Sequence, residues 1–557
     1  MANNGGRVDA NLGVATTLHL ASGRNVVVEE CAVSLKGAAG AEEDGDYEAC
    51  GTAPRQRVSR HTVGSTLQDL SNMEEQYDDE DDDDSDWEPV MRLISKKWFC
   101  VNCTMPNFDD VSYCDICGEY KESKILTQGF FASHSAEDQT STKLDLKERC
   151  QGIHQDGTAI GFDERMLLHF EVEMKSHPHP ERPDRLRAIV ASLSTAGLFP
   201  GKCFSLPARE ITVEELQRVH SLDHVESVES TRNLLLSYFT PDTYANEHSA
   251  CAARLAAGVC SDLASAIMSG RARNGFALVR PPGHHAGVKQ AMGFCLHNNA
   301  AVAALAAMAA GAQKVLIVDW DVHHGNGTQE IFEANKSVLY VSLHRHENGR
   351  FYPGTGAAQD VGIMDAKGYC VNIPWKNGGV GDNDYIFSFQ HAVLPIASAF
   401  APDLTIISAG FDAARGDPLG SCDVTPDGYA QMTHMLKDVS QGRLLVVLEG
   451  GYNLRSISSS ATAVVKVLLG DEPACEMQDV LPSRTGLQTI LEVLTIQLEY
   501  WPMLKSTYEK IQRQWDSLPS MKIKETRRKR RTTPLGPIWW KWGSKRLAYN
   551  RLYRRAP

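Results

Sequence analysis

Val315-Leu-Ile-Val-Asp-Trp-Asp-Val-His-His-Gly-Asn-Gly-Thr328 is the stretch whose reading decides the fold. It begins as a short aliphatic, β-branched run, the pattern of a buried strand. It ends in two acids, two histidines and two glycines. In a strand, alternate side chains share a face. The spacing therefore predicts that Asp319, Asp321 and His323 project together while Trp320 and Val322 point away. Two carboxylates and an imidazole at the carboxyl end of a parallel strand make a candidate metal site, and that end is where open α/β sheets bind ligands. The plainer reading is a solvated turn rich in Asp, His and Gly. Turn chemistry alone does not select three ligand residues in period-two register.

Outward from this stretch, 557 residues are long for one domain, so two or more ordered units plus tails are expected. The formal net charge of -14 is unevenly spread. Residues 521–557 hold thirteen Lys and Arg against one acid, Glu525, so the rest of the chain is strongly acidic. An acidic body with a basic tail suggests separate roles, not a uniform nucleic-acid-binding surface. No apolar run is expected to reach the ~20 residues of a membrane span, and the first residues lack a signal-peptide core. Of fourteen cysteines most are scattered and four are clustered with metal spacing, which favours a reducing compartment over a disulfide framework.

Residues 1–95 read as a disordered acidic arm, because the run Tyr77–Asp86 repels itself. Docking to a basic partner such as a histone tail, or autoinhibitory contact with the basic C-terminus, is the functional alternative. Residues 96–122 contain Cys100, Cys103, Cys114 and Cys117, two CxxC pairs ten residues apart. Four thiolates close a tetrahedral structural zinc site, and a segment this small has too little core to fold without the metal. Trp98 and Asn107 make this module resemble the Ran-binding-protein type of zinc finger, whose members bind single-stranded RNA or ubiquitin. Asp109 and Asp110 stand between the Cys pairs, where they repel phosphate, so RNA binding is not expected. Ubiquitin-binding members carry Thr-Phe after the second Cys; Thr104-Met105 and Ile116 only approximate that pattern, leaving a finger that docks on some protein. Residues 123–150 read as a polar linker.

Over 151–480 short apolar strands alternate with helical stretches. Candidate strands are 275–279, 315–318, 338–343, 404–408 and 444–448, with helices over 250–268 and 299–310. This argues a parallel sheet covered on both faces. Chemistry follows the strands: Arg280-Pro-Pro-Gly-His284-His285, the opening stretch, Ala409-Gly-Phe-Asp412 and Glu449-Gly-Gly-Tyr452. Each cluster alone is ordinary, but strand carboxyl ends converge on one crevice.

These motifs, with His179-Pro-Glu-Arg-Pro-Asp-Arg185, Gly293-Phe-Cys295 and Tyr352-Pro-Gly-Thr-Gly356, occur in the order found in the zinc-dependent histone deacetylases. The resemblance runs from about His179 to Gly470, and with the separate finger it suggests a class II-like, plant-type member. It implies the arginase/deacetylase fold, a central parallel sheet of about eight strands with helices on both faces. It implies zinc on Asp321, His323 and Asp412, with His285 as general base, then acid. His284 supplies charge and is held by Asp319, while Tyr452 donates to the developing oxyanion. Phe294, Tyr352 and Leu419 line a channel for the lysine stem, and the Gly293 carbonyl accepts the substrate amide. A potassium ion is implied at Asp319, the carbonyls of Asp321 and His323, Ser342 and the Leu343 carbonyl. Class I members have an acid where this chain has Asn326, so His285 is expected to titrate lower here.

Residues 481–520 begin with helical periodicity and are expected to pack on the catalytic domain, with self-association into a homo-oligomer as the alternative. Arg527-Arg-Lys-Arg-Arg531 in the basic tail reads as a nuclear import signal or nucleic-acid patch. The expectation is a nuclear enzyme, with shuttling to the cytoplasm left open. It hydrolyses N6-acetyl-lysine on histone tails and acts with transcription factors or a co-repressor complex. Small acetylated amines or non-histone proteins are the second substrate reading. A scaffold that lacks catalysis is disfavoured because Asp321, His323, Asp412 and Tyr452 are all present. A two-metal arginase-like hydrolase is disfavoured because one ligand set is visible.

Overall fold

The computed structural model describes residues 97–132, 157–173, 178–474 and 480–518. The acidic arm 1–95 and the basic tail 521–557 lie outside the described residues. All described residues belong to one compact unit. Its strands are β1 (Lys97–Phe99), β2 (Pro106–Phe108), β3 (Thr158–Gly161), β4 (Phe204–Leu206), β5 (Ser237–Thr240), β6 (Thr243–Ala245), β7 (Asn274–Ala277), β8 (Val315–Asp319), β9 (Val338–Arg345), β10 (Cys370–Trp375), β11 (Leu404–Ala409) and β12 (Leu444–Leu448).

Eight of these form one sheet in the order β10-β9-β8-β11-β12-β7-β3-β4, and every pairing in it is parallel. The sheet explains the apolar runs. Strands buried on both faces by crossover helices have no polar side to show, and β8, β11 and β12 are buried at every residue. Three strands of this sheet escaped the sequence reading. β3 and β4 are four and three residues long, too short for periodicity to register. β10 carries Pro374, which is tolerated because β10 is an edge strand.

The helix Ser249–Met268 corrects one expectation. Its 20 residues are long and apolar enough to pass for a membrane span by length and composition. It packs instead against the helix Asn299–Ala309 and the β7 region, with most of its residues buried in the core. A second correction concerns the linker. Residues Ile125–Phe131 are ordered, because Ile125 inserts with Ala188 and Leu454 into a small apolar cluster.

The helical periodicity after 481 becomes two helices, Arg484–Gln497 and Lys505–Ser517. The first lies along the β10 edge with Leu487, Ile490, Val493 and Leu494 buried. Gln497 Nε2 donates to the Cys370 carbonyl and Trp501 Nε1 to the Gly368 carbonyl. Leu494→Ala is therefore expected to destabilise the catalytic domain by about 2–5 kcal/mol. Urea denaturation followed by intrinsic fluorescence measures this, and a wild-type midpoint would count against the extension being part of the fold.

Candidate active site

The strand order reverses between β8 and β11. The chain leaves β8 towards β9 on one side and leaves β11 towards β12 on the other. Loops diverging from two adjacent parallel strands open a crevice at their carboxyl ends. Asp319 pairs with Ser408 across this junction, which sets the two loops level. Strand β8 ends at Asp319, so the pleat does not aim Asp321 and His323 as expected. A turn does so. The Asp321 amide donates to Asp319 Oδ1, the His323 amide to Asp321 Oδ1, and the Val322 amide to Asp412 Oδ1.

The result is a three-donor cluster of Asp321, His323 and Asp412. His323 Nδ1 stands 3.1 Å from Asp321 Oδ1 and 3.1 Å from Asp412 Oδ2. A tetrahedral ion with ligand bonds of ~2.0–2.1 Å places its donors about 3.3–3.4 Å apart, so the set fits zinc. Both carboxylates are buried. Burial, then the charge of Asp321, push Asp412 up to about 6, a direction that a bound cation would oppose. Gly450 makes this approach feasible: its amide donates to Asp321 Oδ2, and a Cβ there would lie 2.5 Å from Asp412 Oδ2 and 2.6 Å from Asp321 Oδ2.

His284 and His285 stand beside the cluster with ring centroids 4.1 Å apart. His284 Nδ1 donates to Asp319 Oδ2 at 3.0 Å. Burial alone would lower its pKa, but Asp321 and Asp319 outweigh burial and raise it to about 10. His285 goes the other way. Burial, then the neighbouring His284 and His323, hold it well below the usual histidine range. Its Nδ1 lies 2.7 Å from Asn326 Oδ1, which assigns the proton to Nδ1 and leaves Nε2 as a base. The pair is thus one imidazolium and one neutral imidazole, the split that acid–base work requires.

Tyr452 is buried and closes one side of the crevice. It clusters with Phe294 and Leu419, the Phe294 and Tyr452 rings meeting edge to face at 5.8 Å. Phe294 holds φ +71, an unfavourable value for a bulky residue, fixed by its amide donating to Thr243 Oγ1. Tyr352 lies edge-on to His285 at 5.2 Å. Gly293 also has positive φ, and a Cβ on it would strike the His285 ring at 2.4 Å. The Cys295 thiol donates to the Gly293 carbonyl at 3.4 Å.

Several residues holding the site were not singled out from the sequence. Glu449 is fully buried and accepts from the Gly283 and His284 amides and from Ser408 Oγ. Asp417 accepts from the Tyr452 amide and from the Leu419 and Gly420 amides. Burial, then the charge of Asp412, raises its pKa to about 7. Arg185 donates to the carbonyls of Gly451 and Glu449, and Glu181 bridges Arg185 and Arg280. The acid at the end of β12 was a visible signal for Glu449; no local signal marks Asp417.

Two further clusters have different characters. His220, His224 and His297 are close and buried. However, His220 Nδ1 meets the Gly287 carbonyl and its Nε2 accepts from the Asn298 amide, so it has no lone pair for a metal. In the small module, Cys100 Sγ is 3.5 Å from Cys117 Sγ and Cys103 Sγ is 3.6 Å from Cys114 Sγ. These are far from a disulfide and near the ~3.8 Å edge of a tetrahedron with Zn–S of ~2.3 Å. Asn107 braces the knuckles, accepting from the Asp115 amide and donating to the Met105 carbonyl.

A family model described as Histone deacetylase domain matches residues 179–468, so the chain belongs to the histone deacetylase family and is a hydrolase of that class. It is 61% identical over 508 residues to Histone deacetylase 15 of Arabidopsis thaliana, covering 90% of this chain and 91% of that one. Among solved structures it is similar to the HDA15 HD domain, with 71% identity and a TM-score of 0.62, covering 64% of this chain and 99% of that one. It is also 42% identical to Histone deacetylase HDA1 of Candida albicans over 375 residues, spanning 63% of this chain and 45% of that protein. The eight-stranded parallel sheet agrees with the fold expected from the sequence.

Asn326→Asp would place a full negative charge on His285 Nδ1–H and favour its charged form. The acidic limb of the kcat/KM pH profile is expected to move up by about 1 unit or more. A limb that stays in place would show that Asn326 does not tune the base. Gly450→Ala is expected to remove bound metal from the Asp321–His323–Asp412 cluster, measurable as loss of one zinc equivalent by elemental analysis.

Proposed function

We propose that this enzyme hydrolyses N6-acetyl-lysine on histone tails by a zinc-dependent reaction in which His285 is the general base, and that it acts in chromatin-based repression in the nucleus. The observation that carries the reading is geometric: His284 Nδ1 lies 3.0 Å from Asp319 Oδ2 and His285 Nδ1 lies 2.7 Å from Asn326 Oδ1, beside the three metal-type donors of Asp321, His323 and Asp412. Zinc held by Asp321, His323 and Asp412 would polarise the acetyl carbonyl and acidify the attacking water. His285 Nε2 takes the proton of that water and returns it to the leaving lysine amine. His284 stays charged, held by Asp319, and favours the negative charge that builds on the carbonyl. Tyr452 donates its hydroxyl hydrogen to that oxygen, a contribution of about 3 kcal/mol for one such donor.

The apolar cluster of Phe294, Leu419 and Tyr452, with Tyr352 edge-on to His285, suits the lysine methylene stem. The Gly293 carbonyl is the acceptor for the substrate amide. A potassium ion at Asp319, Ser342 and the Leu343 carbonyl is supported by the direct pairing of Asp319 with Ser342. In the four-cysteine module, a second, structural zinc is supported by the thiol spacing. Ubiquitin binding through Thr104-Met105 is not favoured, because both residues are buried.

A histone-peptide panel assayed with the full chain tests this reading. His285→Ala is expected to lose nearly all turnover, and Tyr452→Phe to lose kcat by about 10²–10³-fold at similar KM. Turnover that survives His285→Ala would sink the mechanism.

A further inference from the structure

We propose that the four-cysteine module is a positioning element for Tyr452, acting through Asn102. This rests on the oxyanion role given to Tyr452 above. The helix Leu454–Leu468 begins two residues after Tyr452. A helix start leaves its first amides without intrahelical partners. Here the Ser456 amide is capped by the helix's own Asn453, and Ile457 reaches the Asn453 carbonyl. The two amides nearest Tyr452 in the helix are capped from elsewhere. The Leu454 amide donates to the Asn102 carbonyl at 3.2 Å, and the Arg455 amide donates to Asn102 Oδ1 at 2.8 Å. Asn102 is buried between Cys100 and Cys103, and 353 residues of chain separate it from Arg455.

The rest of the contact makes this cap depend on both knuckles. Arg455 forms a two-pronged ion pair with Glu119, through Nε to Oε2 and Nη2 to Oε1, each 2.9 Å. Glu119 closely follows the second Cys pair, and its carbonyl accepts from the Cys114 amide. Arg455 Nη1 also donates to the carbonyls of Phe130 and Ala132. On the other side Arg182 donates to the Val101 carbonyl. Ile125, Ala188 and Leu454 fill the space between. Tyr452 is thus held from one side by Asp417 and Arg185, and from the other by a helix start whose cap belongs to the module.

A module this small owes its fold to its metal. Its thiols therefore govern whether Asn102 is in place, and Asn102 governs how firmly the residues after Tyr452 are held. Displacement of a catalytic donor by a fraction of an ångström lowers kcat far more than KM. Finger loading thereby sets turnover at a site whose own metal is untouched.

Full-length Asn102→Ala, Asn102→Asp, Cys103→Ser, Tyr452→Phe and the Asn102→Ala/Tyr452→Phe double variant test it. Asn102→Ala is expected to lower kcat about tenfold at unchanged KM and catalytic zinc content. Amide hydrogen exchange at Leu454 and Arg455 should speed up in Asn102→Ala and Cys103→Ser alike. Asn102→Asp keeps an acceptor for the Arg455 amide and should restore both readouts. On the Tyr452→Phe background, Asn102→Ala should cost little more, because both act through one hydroxyl. Unchanged exchange and kcat in Asn102→Ala would overturn the coupling alone, as would an equal loss on the Tyr452→Phe background. A fully active Tyr452→Phe would overturn the role of Tyr452 and the coupling with it.

Discussion

Two carboxylates, Asp321 and Asp412, face one imidazole nitrogen at the mouth of a buried parallel sheet. Like charges held this close in a dry site repel unless a cation joins them. Much of the surrounding structure answers that constraint. Backbone amides of Val322, His323 and Gly450 point at the carboxylates. Gly450 has no side chain to separate them. The reversal of strand order between β8 and β11 brings the two loops together in the first place.

The same charge pattern sets the neighbouring histidines apart. Asp321 and Asp319 outweigh burial at His284 and raise its pKa, whereas burial first, then His284 and His323, hold His285 well below the usual histidine range. A carboxylate partner on His285 would blunt this contrast. Asn326 orients the ring through an acceptor of no net charge. The division of labour between two adjacent residues of one type therefore comes from burial and from the charges around them, including the effect of His284 on His285.

Support for the site reaches well beyond its reacting groups. Glu449 and Asp417 direct their carboxylates at backbone amides, fixing the turns that carry His284 and Tyr452. Arg185 ties down the Gly451 carbonyl. The four-cysteine module, separate in sequence, is continuous with this scaffold through Asn102 and Glu119. On the proposed reading, a zinc knuckle, a helix cap and an oxyanion donor thereby share one mechanical chain.

The sequence by itself determined the features that repeat or cluster locally. Aliphatic strands buried on both faces leave uninterrupted apolar runs, so five strands of the sheet were legible, as were the Asp321–His323 pair and the four thiols. Order among the motifs carried the family. Only the tertiary structure decided what depends on long separations. The resemblance alone had named Asp412 with His323, and sheet topology is what brings the two together; the capping of Leu454 by Asn102 comes from packing across the chain. Asp417 has no pattern to mark it, because its partners are backbone amides that nearly every residue possesses. The turn that aims Asp321 and His323 was misread as pleat for a related reason. Where a strand ends is set by its neighbours in the sheet, and alternation along one chain cannot report on them.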